Sequence, residues 1–136
     1  MREILFKAKR VFDDKWVVGY LVKGESCYII TSEDFYSAVA TPTRMCTEHQ
    51  LVDKNTVCQF TGLLDIDGNG IFEGDIVKVE SMCVGGENID GIYTVNYDEA
   101  AFWLEDKENQ KAYLLFQECC EFKIIGNIHD EVKACE

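Results

Sequence analysis

Asp65-Ile66-Asp67-Gly68-Asn69-Gly70 places oxygen-bearing side chains at positions 1, 3 and 5 of a calcium-loop pattern and a glycine at position 6. Such a loop also needs a bidentate glutamate at position 12 and amphipathic helices on either side. Position 12 is Ile76, and the flanking residues Val57–Leu64 and Ile71–Glu80 carry strand-like patterns. The stretch therefore predicts a tight β connection in which Asp and Asn side chains bond to the local backbone. Seven cysteines, at 27, 46, 58, 83, 119, 120 and 135, are odd in number and irregularly spaced, which predicts free thiols rather than a disulfide framework. Zinc would want paired ligands; Cys46-Thr47-Glu48-His49 and the vicinal Cys119-Cys120 each lack a matching second half. Cysteine paired with His49 or His129 as a nucleophile is equally unsupported, because seven Cys and two His generate such pairs by accident. Acid–base groups exist in Asp65, Asp67, Glu73, Asp75, His49 and His129, but catalysis needs them to converge with shifted pKa values, which a sequence does not display. The expectation is a protein that is not an enzyme, with no catalytic, cofactor-binding or metal-binding residues.

The chain has 136 residues, 47% of them hydrophobic and 28% charged, and a single proline, a composition that excludes collagen, coiled coil and disordered tail. Thirteen Lys and Arg against twenty-five Asp and Glu leave a formal charge of −12, which repels phosphate backbones and anionic lipid. The charge is uneven. Residues 1–24 carry six basic and three acidic side chains, so the remainder carries −15, an asymmetry able to steer one copy onto another or onto a basic partner. Arg2, Glu3 and Lys7 interrupt the first apolar run, and no run approaches the roughly 20 residues needed to span a bilayer. The expectation is a cytoplasmic protein with no membrane partner.

The elements that would position these residues read as strands. Alternation of Phe6 and Ala8 with Lys7 and Lys9, then the β-branched and aromatic run Trp16–Val22, then Cys27–Thr31, predicts a three-stranded meander over residues 3–31. Residues 32–56 lose their period and predict a connection with an edge strand around Ala38–Thr41, a lid or an oligomer contact. Glu73-Gly74-Asp75 puts a turn at the mouth of an alternating strand, Ile76–Val79, with Asp75 as the anchoring residue. Gly91–Tyr97 and Ala101–Glu105 predict a hairpin, and Lys111–Glu118 has helix-favouring composition, predicting one short helix near residues 111–119. Glu121–Ile128 returns to alternation, with Phe122, Ile124 and Ile128 on one face. Tyr93, Tyr97, Phe102 and Trp103 are candidate stacking platforms for a nucleic acid, with core and cross-strand packing as the better reading.

An ordered set of landmarks runs through these elements: Met1–Arg10, Trp16-Val17-Val18-Gly19-Tyr20, Val52 through Leu63, Asp67-Gly68-Asn69-Gly70, Ile71–Val77, and Ile124-Ile125-Gly126-Asn127-Ile128-His129-Asp130. In this set the chain resembles the YopX family of phage and prophage proteins over nearly its full length. Lys54, where the family usually has proline, and Glu131-Val132-Lys133, in place of a more proline-rich ending, depart from it. The resemblance implies a β-rich fold with a partly open, SH3-like barrel and assembly into a homo-oligomer, and it brings no catalytic residues. Taken with the residue patterns, the expectation is a mainly β, single YopX-like domain over 1–136, divisible into a meander at 1–50 and a barrel-like part at 51–136. The expected function is a non-enzymatic, self-associating interaction module acting on a host or phage protein. The alternative is a nucleic-acid-related role, as a small-barrel binder or as an acidic DNA mimic acting on a host nuclease or repressor.

Overall fold

Strand-forming sequence and dense turn signals produce eleven strands and one 3-10 turn among residues 4–31, 50–82, 89–116 and 120–130, which a computed structural model describes. Every strand pairing described is antiparallel. The chain divides into two compact units, Met1–Phe60 and Thr61–Glu136.

In the first unit the predicted meander is present as β1 (Phe6–Lys9), β2 (Trp16–Lys23) and β3 (Cys27–Ile30). Its sheet continues to β4 (Leu51–Val52) beyond β3, and to the start of β5 (Cys58–Leu64) on the far side of β1. Period-2 side-chain geometry then separates two faces. Ala8, Cys27, Ile29 and Val52 form the buried cluster, with Phe6, Val17 and Leu21 against it. Lys7 and Lys9 lie on the opposite face of β1, their ammonium groups 4.8 and 5.5 Å from the centre of the Trp16 ring. Arg10 closes the β1–β2 turn through a two-pronged pair with Asp13, Nε–Oδ1 3.1 Å and Nη2–Oδ2 2.6 Å. Between β4 and β5 the chain makes a 3-10 turn, Lys54–Thr56, capped by Asp53, and Thr56 Oγ1 accepts from the Lys9 N–H at 2.9 Å. Residues 51–60 thus pack with the meander.

Thr61–Leu64, the second half of β5, pairs with β6 (Gly70–Phe72) through the predicted Asp65–Asn69 turn. Five further strands follow: β7 (Asp75–Ser81), β8 (Gly91–Asp98), β9 (Ala101–Asp106), β10 (Lys111–Leu114) and β11 (Cys120–Asn127). Their sheet has the order β10-β9-β8-β7-β11. One face buries Val77, Val79, Tyr93, Val95, Leu104 and Phe122, with Ile71, Ile89 and Leu115 completing the cluster. The expectation of a mainly β fold holds. The five-stranded sheet is open, with β10 and β11 at opposite edges, so the barrel-like part is not a closed barrel.

The short helix expected near residues 111–119 is corrected. Lys111–Leu114 is strand β10, paired with β9 from Lys111↔Asp106 to Leu114↔Trp103. Helix-favouring composition is outweighed by tertiary contact, since alternation turns Tyr113 and Leu115 toward the core and leaves Ala112 and Leu114 outside. Residues 117–119 lie outside the described residues. Phe122 and Ile124 face the core as expected, whereas Ile128 is exposed. A register shift between Ile124 and Gly126 is the reason: one extra residue reverses which side the strand presents, and the next inward position is Asn127. The edge strand expected at Ala38–Thr41, together with Cys46, His49, Cys83, Cys119 and Cys135, lies outside the described residues. Cys27, Cys58 and Cys120 are free thiols, as expected of them.

Candidate functional site

The carboxylate candidates of the second unit collect at two turns, β5–β6 and β6–β7, and both turns attach to β11. In the first, Asp65 Oδ1 accepts from the N–H groups of Asp67 (3.0 Å) and Asn69 (2.8 Å), while Oδ2 accepts from the N–H of Ile124 (3.2 Å). The Ile66 N–H donates to the Phe122 carbonyl at 2.8 Å. The turn predicted from Asp and Asn side chains is therefore real, and its carboxylate also caps the outer edge of β11. Edge strands present unpaired backbone groups to any passing strand; here the turn occupies the Phe122 carbonyl and the Ile124 N–H.

Burial raises the pKa of Asp65, but the N–H groups of Asn69, Ile124 and Asp67 outweigh it and hold the carboxyl below its ordinary value. A depressed carboxylate pKa contributes stability above the unfolded value, 3.8, and that contribution disappears as pH falls through the lower folded value. Acid should therefore weaken the β11 edge. In melts between neutral pH and pH about 3, Asp65→Asn should show a shallower acid limb than the parent chain while being less stable at pH 7 by about 2 kcal/mol. Parallel acid limbs would remove this role from Asp65.

In the second turn, Gly74 adopts φ +85°, a region open to glycine at little cost. Its N–H donates to the Val95 carbonyl at 2.7 Å, and its carbonyl accepts from the Ile128 N–H at 2.9 Å. Asp75, predicted as the anchor of the next strand, is completely buried. Its Oδ2 accepts from the Phe72 N–H (2.8 Å), and its Oδ1 accepts from Asn127 Nδ2 (2.9 Å), 52 residues away. Asn127 Oδ1 in turn accepts from the His129 N–H at 2.8 Å. This clasp ties Ile71–Val77 to Ile124–Asp130, so two distant landmarks of the sequence are the two halves of one hydrogen-bonded joint.

Asn127 was invisible to periodicity, because the β-bulge before it makes a polar residue occupy an inward position. Asp67 is exposed and lies 3.7 Å from Lys123. Glu73 is half-buried in the β6–β7 turn, and His129 reaches the clasp through its backbone. Asp65 and Asp75 thus spend their oxygens on the fold. Among the described residues there is no cluster of three or more His, Cys, Asp or Glu able to hold a metal ion.

The aromatic candidates divide. Tyr93 is in the core, donating its hydroxyl to the Ile89 carbonyl at 2.6 Å and meeting Tyr113 edge to face at 6.0 Å. Tyr97 and Phe102 are direct cross-strand partners with ring centres 5.0 Å apart, and Trp103 Nε1 donates to the Asp98 carbonyl at 2.9 Å. Tyr93 is thus a core residue and Tyr97 and Phe102 a cross-strand pair, with Tyr97 still 47% exposed. No helix among the described residues is long and apolar enough to cross a membrane.

Charge follows the two units. Residues 1–60 hold eight basic and eight acidic side chains, whereas residues 61–136 hold five basic and seventeen acidic, so the whole net charge of −12 belongs to the second unit.

Two antiparallel sheets, with a buried Asp–Asn clasp between neighbouring strands β7 and β11 that also holds the β6–β7 turn, define a mainly β protein whose motif residues hold turns together. The chain belongs to the YopX protein family, whose family model matches residues 5–134. No curated relative matches the sequence.

Proposed function

We propose that the chain is a non-catalytic, self-associating protein-interaction module encoded by a phage or prophage and acting in the cytoplasm of a bacterial host. The observation that carries this reading is the segregation of charge, with a neutral first unit and a second unit at −12. The basic stretch inside the neutral unit, six basic against three acidic side chains over residues 1–24, favours contact with the acidic unit of a neighbouring copy, and the acidic unit favours a basic protein. The commitment of Asp65 and Asp75 to backbone and amide donors supports a structural use of the motif carboxylates. Light scattering tests it. Raising salt from about 0.01 M to about 1 M shortens the screening length from about 30 to about 3 Å, so an assembly held by charge should lose mass over that range. A monomer at the lowest salt would overturn the reading.

The seventeen acidic residues of the second unit also favour a second reading, an acidic mimic of DNA directed at a host nuclease or repressor. It predicts salt-sensitive competition with duplex DNA for such a protein, and undiminished DNA binding in the presence of the chain would exclude it.

A further inference from the structure

On the outer face of the five-stranded sheet, the register of β7 with β11 sets Lys78 directly opposite Lys123 and Glu80 directly opposite Glu121. Like charges directly opposite on one face of an antiparallel pair destabilise it. Among the described residues only long, exposed contacts offset the repulsion, Lys78 to Glu80 and Lys123 to Asp67, each 3.7 Å, and such pairs contribute little. Between the charges lies a cleft of about 270 Å³ bordered by Ile66 and Phe122. Ile66 is 58% exposed, and so is Ile92, the cross-strand neighbour of Lys78 on β8.

We propose that this face is where two copies of the chain meet, the Lys78–Lys123 row of one lying against the Glu80–Glu121 row of the other. The proposal rests on the self-association reading above, but places the complementary charges within one face of the second unit, row against row, rather than between the two units. The geometry is self-complementary. A two-fold axis lying in the plane of the face and crossing the strands between the two rows carries each lysine row onto the partner's glutamate row. One patch then serves both subunits, as an isologous interface requires. Each like-charge pair, unfavourable within one subunit, becomes half of a favourable set across the interface, while Ile66 and Ile92 supply apolar surface beside it. The Asp65–Ile66 turn already covers part of the free edge of β11, which favours approach through the face over addition of a strand at that edge.

The test uses the full chain, sedimentation velocity and two reciprocal variants. Lys78→Glu with Lys123→Glu makes both rows acidic, and Glu80→Lys with Glu121→Lys makes both rows basic. Each alone should associate at least about tenfold more weakly than the parent, and an equimolar mixture should recover the parent mass, as a mixed dimer in native mass spectrometry. Lys107→Glu with Lys111→Glu changes net charge as much as the first variant and should leave the mass unchanged. Circular dichroism and a cooperative melt establish that each variant is folded. If the parent self-associates but both face variants keep its mass, or their mixture stays monomeric, the assignment of this surface is overturned and self-association stands. A monomeric parent overturns both.

Discussion

Replacing Asp75 with alanine is expected to destabilise the second unit by about 3–5 kcal/mol, the range for breaking a buried, multiply hydrogen-bonded polar group. The completely buried side chain accepts from the Phe72 N–H and from Asn127 Nδ2, and both donors would lose that acceptor in a place water does not reach. Asp75→Asn tests the chemistry at constant shape. Its new amide group must face one of two donors, so about half the loss should remain. The chain has one tryptophan in each unit, Trp16 and Trp103, so a Trp16→Phe background leaves Trp103 fluorescence to report on the second unit alone in a denaturant titration. Pairing Asp75→Ala with Asn127→Leu should cost less than the sum of the two single changes, because the second removes the amide that the first strands. Additivity, or a loss below about 1 kcal/mol for Asp75→Ala, would mean that the clasp is not what holds the β6–β7 turn to β11.

Gly19→Ala is expected to be the most damaging single-methyl change in the first unit, costing about 3 kcal/mol, the upper end for overpacking. A β-carbon there would stand 2.3 Å from the Ile30 carbonyl oxygen, 2.8 Å from its carbon and 3.1 Å from the Thr31 α-carbon. All three atoms are backbone, so no side chain can rotate away. Relief requires β3 to retreat from β2, disturbing the neighbouring pairs Tyr20↔Ile30 and Leu21↔Ile29. Gly24→Ala is the control, since its β-carbon would meet only the Ser26 carbonyl oxygen, at 3.9 Å, and it should stay within about 0.5 kcal/mol of the parent. Hydrogen exchange of the β2 and β3 amides separates the two cases. Fast exchange confined to Gly19→Ala is the expected pattern, and equal protection in both variants would show that β3 accommodates the methyl group.

Much of this architecture is legible in the residues, and what is not has definite causes. The meander at 3–31 and the Gly91–Glu105 hairpin can be read because each strand buries one face and turns at polar residues, so local pattern and tertiary packing agree. Lys111–Leu114 defeats composition because its neighbours on β9 decide its state, and those neighbours are invisible within a short window. The bulge after Ile124 defeats alternation in the same way: the strand continues while its inward parity changes, which hides Asn127. At the candidate site Asp65 and Asp75 stand out as turn residues, yet nothing local says that their other oxygens reach Ile124 and Asn127. The like-charge rows are hidden for a related reason, since Lys78 and Glu80 look like an ordinary solvated alternation until β11 is laid beside them in register.

The β5–β6 turn has a consequence for how this protein tolerates change in chain length. Short polar loops between hairpin strands are ordinarily where insertions, epitope tags and evolutionary length variation accumulate. This one is a latch. Asp65 and Ile66 hold the Ile124 N–H and the Phe122 carbonyl only while the turn keeps its present span, so extra residues between Asp65 and Gly70 would lift the latch and leave an eight-residue border strand open to endless lateral addition of further chains. Tag insertion in this turn should produce fibrillar precipitate from a chain that otherwise keeps its core, and the turn that looks most dispensable in the sequence is the one whose length is least free to drift.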